Sequence, residues 1–148
     1  MQDRIALLIE KDRILERVKS LFINTDRKDW AEVVDDFTDQ VRFDMSSMGG
    51  GPPAFVPAVE IAAGWEEGLQ DITAVHHQIG NELVTVDGDS AHVFCYGIAL
   101  HHSPRARKGT TKRFVGTYDL DLLKEKQEWK ISGFAYNLKF VDGNVDLA

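Results

Sequence analysis

The hydrophobic period of this chain changes once, near residue 71, and the change limits the folds that the chain can adopt. Before this point, apolar residues recur at helical spacing, as on one side of an amphipathic helix. Beyond it they alternate with polar residues, as in strands with one buried face. Helices followed by a run of strands indicate an α+β domain with the helices packed on one face of a sheet.

The first half of the chain predicts three helical segments. An amphipathic helix is expected over residues 11–25, preceded by a shorter one at Ile5–Ile9. A second helical pattern begins at Asp26 and continues to Phe37. The third is expected from Pro57 to Leu69, because proline suits the first turn of a helix. The buried side of the first helix is predicted to carry Ile14, Val18, Leu21 and Phe22.

Strands are predicted mainly in the second half. A short strand at Val41–Met45 precedes the loop Gly49–Pro53. A four-stranded antiparallel meander should follow, with a tight turn at Asp87-Gly88. Its strands are expected at Val75–Val86, Ala91–His102, Phe114–Leu123 and Trp129–Phe140.

Composition narrows the classes of function. A chain of 148 residues suits one domain, expected to span residues 1–148. The net charge of −7 argues against nucleic-acid and anionic-membrane surfaces as partners. Cys95 is the only cysteine, so no intrachain disulfide can form, and no apolar stretch approaches the roughly 20 residues that span a bilayer. A cytoplasmic location is therefore expected.

His77 is the first candidate for chemistry. It shares strand parity with Val75 and Ile79, whereas His76 points to the other side. An imidazole in an apolar pocket can act as a general base. The alternative is a buried histidine that hydrogen-bonds a backbone carbonyl, and the residues alone leave both open.

Asp26 and His102 are the other catalytic candidates. Asp26 could orient a histidine and stabilise its protonated form, or it could cap the following helix, and the two roles are compatible. His102 ends a predicted strand next to a loop, where it could be a helper acid or a surface side chain. Adjacent histidines on a strand face opposite ways, so no metal site is predicted. No phosphate-binding glycine motif occurs, and no cofactor is expected.

Several larger side chains are candidates for binding a substrate. Tyr96 and Tyr118 could supply hydroxyl groups to a pocket, although packing of their rings is the ordinary role. Trp30 is a further candidate that also fits the core. Ile98 and Leu100 share the strand parity of Tyr96 and His102, and are expected to line the same pocket.

The element order and several strings resemble the nuclear transport factor 2-like superfamily, specifically its SnoaL-like and scytalone dehydratase-like branch. The resemblance covers roughly residues 11–141. It rests on Asp26-Arg27-Lys28-Asp29-Trp30, Val41-Arg42-Phe43-Asp44 and His77-Gln78-Ile79-Gly80-Asn81, extended by Val86–Ala91 and Glu128–Ile131. It implies a cone in which a strongly curved, mainly antiparallel sheet wraps helices around a pocket. It also implies a homodimer formed through the sheet face.

The resemblance assigns roles to individual positions. The catalytic aspartate of scytalone dehydratase falls on Asp26, and its two active-site histidines fall on His77 and His102. Two tyrosines that hold the reactive water there are replaced by Thr25 and Met45. The exact reaction of that enzyme is therefore not expected.

Two functions remain as hypotheses. The first is a cofactor-independent lyase or isomerase, of dehydratase or cyclase type, acting on a small apolar or cyclic molecule. His77 would be its base, Asp26 the orienting group, and His102 or Tyr118 the donor to developing negative charge. The alternative is a non-catalytic module of the same fold that binds a small ligand or mediates dimerisation.

Overall fold

The computed structural model describes residues 2–148 and confirms an α+β fold. Within residues 2–148, three helices and one 3₁₀ turn, η1, accompany six strands. The helices are α1 (Gln2–Asp26), α2 (Trp30–Asp36) and α3 (Ala58–Leu69), and η1 covers Ser46–Met48. The strands are β1 (Phe37–Asp44), β2 (Ala54–Pro57), β3 (Ala74–Asp87), β4 (Ser90–His102), β5 (Thr111–Glu125) and β6 (Glu128–Gly143).

The six strands form one curved sheet in the order β2-β1-β6-β5-β4-β3. The predicted meander is present as β3 to β6, and every pairing within it is antiparallel. The sequence prediction lacked the extension of this sheet by β1 and β2. β1 runs parallel to β6, and β2 is antiparallel to β1. In the part of the chain that the structure describes, β3 is therefore an edge strand, with no strand partner on one side.

The boundaries of the first two helices differ from the prediction. Residues 2–26 form one continuous helix, because no glycine or proline separates the two predicted segments. The second helix begins at Trp30 and is capped by Asp29, whose carboxylate accepts the backbone N–H of Glu32. Asp26 is thus the last residue of α1 and not a helix cap. Phe37, predicted as helical, is the first residue of β1.

Helix α1 packs on the inner, concave face of the sheet and positions the site. Its predicted apolar side is buried, because Ile14, Val18 and Leu21 are fully covered and Phe22 is 5% exposed. Inward-facing residues of β4 to β6 complete this core, including Val93, Leu120, Leu122 and Ile131. None of the helices in residues 2–148 is long and apolar enough to cross a membrane.

Candidate active site

The carboxylate of Asp26 contacts His77 twice. Its Oδ1 lies 2.6 Å from the ring nitrogen Nδ1, and its Oδ2 accepts the backbone N–H of His77 at 2.8 Å. This N–H lies on the open side of the edge strand β3, where no strand can accept it. Asp26 thus satisfies a backbone donor and orients the imidazole, so the end of α1 and the middle of β3 are joined at this point.

The contact defines which ring nitrogen of His77 is free. A carboxylate only accepts hydrogen bonds, so Nδ1 carries the proton and Nε2 keeps its lone pair in the neutral ring. No hydrogen bond within residues 2–148 involves Nε2. The ring packs 5.4 Å from that of Phe22, and the side chain is 15% exposed. A half-buried imidazole with one oriented and one free nitrogen is suited to proton transfer.

His77 lines a cavity of about 250 Å³ between the helices and the inner face of the sheet. The walls are mainly apolar and aromatic. They are formed by Phe22, Thr25, Met45, Met48, Gly64, Trp65, Gly68, Leu69, Ala99, His101, Phe114, Tyr118, Phe134 and Tyr136. An apolar cavity with a few convergent polar groups is the usual form of a small-molecule site.

His101 is the second histidine of the cavity. It lies on β4 opposite Val75 of β3, two residues from the pair that His77 makes with Ala99. Burial, together with nearby His77 and Lys112, lowers the pKa of His101 to about 4. The ring packs 5.0 Å from that of Phe114. At neutral pH His101 is therefore an uncharged donor and acceptor beside the cavity.

Two tyrosines cross the inner face of the sheet next to glycines. A Cβ at Gly97 would lie 2.1 Å from the Tyr118 ring, and one at Gly116 would lie 2.8 Å from the Tyr136 hydroxyl. Gly97 and Gly116 pair across β4 and β5, so the missing side chains make room for both rings. Burial raises the pKa of Tyr118 above its usual value and that of Tyr136 to about 12. Both hydroxyls thus remain protonated at neutral pH.

The prediction of which side of β4 faces the cavity is wrong. Tyr96 and Ile98 are 46% and 44% exposed on the outer, convex face, and Leu100 and His102 share their parity. Apart from His101, the inward residues are small, and the Tyr118 ring lies directly over Gly97 in the middle of the strand. These inward residues are Val93, Cys95, Gly97, Ala99 and His101. None of the four predicted residues lines the cavity, and His101 lies where His102 was expected.

The remaining predicted residues divide between cavity and core. Tyr118 lines the cavity, as does His77, whose ring contacts Asp26. Trp30 does not; it is half-buried at the start of α2 and packs against the core. The sequence prediction left open whether His101 or His102 faces the pocket, and it did not name Tyr136 or Met48. The alternation of β6 offered one usable signal, because Tyr136 shares the inward parity of Phe134.

The structure also bears on metal binding. Within residues 2–148, no three His, Cys, Asp or Glu side chains come together in an arrangement that could hold a metal ion. Cys95 is fully buried, and burial raises the pKa of its thiol to about 12.

The SnoaL-like domain profile matches residues 7–135, which is most of the chain. The chain belongs to the SnoaL-like family. This confirms the resemblance drawn from the sequence strings, and the curved sheet is the cone-shaped nuclear transport factor 2-like fold. No curated protein sequence matches this SnoaL-like chain significantly.

Solved structures resemble the SnoaL-like chain over nearly its whole length. A Kribbella flavida protein is 25% identical with a TM-score of 0.89, covering 95% of this chain and 97% of that one. A protein from Novosphingobium aromaticivorans, proposed to be a scytalone dehydratase, is 16% identical with a TM-score of 0.82, covering 96% and 91%. The hexachlorocyclohexane dehydrochlorinase LinA-type3 from Novosphingobium barchaimii is 13% identical with a TM-score of 0.77, covering 94% and 92%. At 16% and 13% identity, these last two likenesses establish the fold alone.

Proposed function

We propose that the protein is a cofactor-independent lyase or isomerase acting on a small, largely apolar cyclic molecule. The observation that carries this proposal is the Asp26–His77 contact of 2.6 Å beside an apolar cavity, with Nε2 of His77 free. A base needs both an oriented ring and an unengaged nitrogen, and this arrangement supplies them. Two of the similar structures carry names that denote eliminations, a scytalone dehydratase and a dehydrochlorinase.

The first step is removal of a proton from a carbon next to a carbonyl. Nε2 of His77 takes this proton, and the Asp26 carboxylate stabilises the resulting imidazolium. Negative charge then develops on the carbonyl oxygen. His101 and Tyr118 can donate hydrogen bonds to it, because both are uncharged and line the same cavity.

The second step depends on the substrate. Where the next carbon carries a hydroxyl, its C–O bond breaks, a C=C bond forms, and the proton held by His77 leaves with the hydroxide as water. Where a C=C bond begins at the next carbon instead, the negative charge extends along it, and return of the proton to the far carbon of that bond gives the conjugated isomer. Neither outcome changes the oxidation state of the substrate overall, so the reaction requires no redox cofactor.

To test the proposal, the protein is incubated in D₂O with a panel of cyclic ketones, and the reaction is followed by NMR. The panel contains ketones with and without a hydroxyl one carbon beyond the acidic C–H. Turnover appears as loss of the hydroxyl or as deuterium at the carbon next to the carbonyl. His77→Ala should lower the rate by about 10²–10⁴-fold. His76→Ala is the matched control, because His76 is exposed on the opposite face of the same strand. Equal rates for the two variants would reject His77 as the base.

One observation favours the non-catalytic alternative. Thr25 and Met45 stand where scytalone dehydratase is expected to hold water with two tyrosines. The Thr25 hydroxyl donates to the carbonyl oxygen of Leu21 at 2.7 Å, and Met45 has no hydroxyl. A binding module would take up panel compounds without converting them. Calorimetric titration would then give equal affinities for the unmodified protein and His77→Ala, with no product in either.

We further propose that two copies associate through the outer face of the sheet. Tyr96, Ile98 and Phe140 form an exposed apolar group there, on β4 and β6, the strands on either side of β5. Sedimentation equilibrium should give a homodimer that Ile98→Glu weakens. Val59→Glu is the control, since Val59 is 61% exposed on α3, away from this face. A monomer at every concentration would contradict the proposal.

A further inference from the structure

The cavity has an identifiable mouth. Of its fifteen lining residues within residues 2–148, Met48, Gly64 and Gly68 are the most exposed to solvent, while the others are buried or half-buried. A residue that borders both the cavity and the solvent lies on the rim of the opening. We propose that ligands enter between η1 and α3 and that these three residues set the size of ligand admitted. The inference rests on the proposed function only in treating this cavity as the ligand site.

The two glycines lie one helical turn apart on α3. A Cβ built on Gly64 or on Gly68 meets no atom within 4 Å, so no packing contact inside the protein requires a glycine at either position. Glycine is among the least favourable residues in a helix interior, and alanine is the most favourable. The absent side chains therefore leave open space at the mouth of the cavity at a cost to the helix. A side chain at either position would narrow the opening.

Met48 lines the same cavity from a turn that is itself anchored. The Ser47 hydroxyl donates to the carbonyl oxygen of Tyr136 at 2.5 Å and accepts the N–H of Leu138 at 3.0 Å. Asp44 accepts the N–H of Ser46 at 3.0 Å. No hydrogen bond within residues 2–148 joins η1 to α3. The backbone on this side is therefore fixed to β6, and the unbranched side chain of Met48, 38% exposed, is the part that can move.

The mouth also restricts the charge and shape of the ligand. Helix α3 carries Glu60, Glu66 and Glu67 and no lysine or arginine. An acidic helix beside the opening disfavours anionic ligands. The cavity of about 250 Å³ lies just below the roughly 300–1,000 Å³ of pockets for drug-sized ligands. The ligand admitted is thus a compact molecule of one or two rings that carries no negative charge.

Chemical labelling tests the entrance without any enzymatic assay. Ala99 is 5% exposed and lines the cavity, so Ala99→Cys places a thiol inside it. The chain without this substitution gives the background rate, because its Cys95 is fully buried and its thiol is protonated. The probes are methyl, benzyl and sulfonatoethyl methanethiosulfonate, which are respectively small and neutral, ring-bearing, and anionic. We expect the two neutral reagents to label faster than the anionic one.

Rim variants in the Ala99→Cys chain decide the question. Gly64→Leu and Gly68→Leu should each slow benzyl labelling by about tenfold or more, and methyl labelling by less. Met48→Ala should accelerate benzyl labelling. The matched control is Ala63→Leu, because Ala63 is exposed on α3 and does not line the cavity. Equal benzyl rates in Gly64→Leu, Gly68→Leu and Ala63→Leu would overturn the proposal, as would a cavity thiol that labels no faster than background in every variant.

Smaller substitutions separate blocking from misfolding. Gly64→Ala and Gly68→Ala should raise the thermal midpoint and still slow benzyl labelling, a combination that damage to the fold cannot produce. Loss of catalysis in His77→Ala with unchanged labelling would leave the entrance intact. Failure of the proposed chemistry and failure of the proposed entrance are therefore distinguishable. A raised midpoint with unchanged benzyl labelling would reject the rim role of the two glycines.

Discussion

The two faces of the sheet each hold a histidine against carboxylates, with different outcomes. On the inner face, His77 uses one ring nitrogen on Asp26, and the other nitrogen is free beside a cavity. On the outer face, His92 uses both, with Nδ1 2.8 Å from Asp121 and Nε2 2.9 Å from Asp119. The His77 and His92 side chains are 15% and 42% exposed, respectively.

The difference indicates what a histidine–carboxylate pair needs to support chemistry. A ring that donates from both nitrogens to carboxylates is held as an imidazolium and has no lone pair for a substrate proton. Burial lowers the pKa of His92, but its hydrogen bonds to Asp121 and Asp119 raise the pKa by more, so the net shift is upward. His92 is suited to linking strands β4 and β5, and His77 to proton transfer.

The largest expected effect comes from removing each histidine in turn. His77→Ala should lower turnover of a reactive panel compound by about 10²–10⁴-fold, because the base is lost. His92→Ala should leave turnover unchanged, since that ring lies on the far side of the sheet. NMR rates at saturating substrate measure both. A comparable loss in the two variants would break the distinction between the faces.

Substituting the carboxylate that pairs with each histidine is a second test, for which a smaller effect is expected. Asp26→Asn keeps the shape of the side chain but removes the charge that stabilises protonated His77. We expect a loss of about 10²-fold in kcat, the lower end of the range for groups that assist proton transfer, together with about 1–3 kcal/mol of stability from the disturbed hydrogen bonds. Asp121→Asn is the outer-face counterpart. It should leave kcat unchanged and lower the free energy of unfolding by no more than about 1 kcal/mol. Steady-state kinetics and urea unfolding measure the two effects, and an unchanged kcat in Asp26→Asn would contradict the orienting role.

Local periodicity was enough to predict the meander and the buried side of α1. It also gave the inward parity of Val75, His77 and Ile79. The prediction failed where packing between different elements decides which residues of a strand face inward. Asn81 has a φ of 53° within a bulge of β3, so Leu83 is 68% exposed although its parity matched the inward set.

The face of β4 illustrates the same limit. Its large residues, Tyr96 and Ile98 among them, were predicted to face inward because they share the parity of His102, the position to which the family resemblance assigns a pocket histidine. The Tyr118 ring from β5 lies over Gly97, which leaves no room for a side chain at that position. Strand β4 therefore turns its larger residues outward. A contact between neighbouring strands cannot be inferred from the pattern of one strand, and for that reason His102 was predicted where His101 lies.

The inner face should also contribute more than the outer face to the loss of stability in acid, because of His101. The pKa of His101 is about 4 in the folded protein, below the ordinary value of 6.5, so acid favours the unfolded chain. Stability should fall as the pH drops from about 6.5 to about 4, with about 1–3 kcal/mol of the loss due to this group. His101→Phe keeps the aromatic contact with Phe114 and cannot titrate. Urea unfolding at pH 7 and pH 5 should show a smaller difference in this variant, and an identical difference would contradict the assignment.

The smallest effect is expected on the outer face, with the opposite sign. Because the pKa of His92 is raised in the folded state, its stabilising contribution is fully present below about pH 6.5 and is lost as the pH rises through the folded-state pKa. The groups facing the ring are Asp119 and Asp121, with Asn137 donating to Asp119 at 2.8 Å. The side chains are 41–59% exposed, so the contribution should not exceed about 1 kcal/mol and should shrink with salt. His92→Gln should therefore be less stable than the unmodified protein at pH 6 and nearly equal to it at pH 9 in urea unfolding. A gap that widens at pH 9 would mean that His92 stabilises the sheet as a neutral ring, and the contrast between the two faces would then rest on His77 alone.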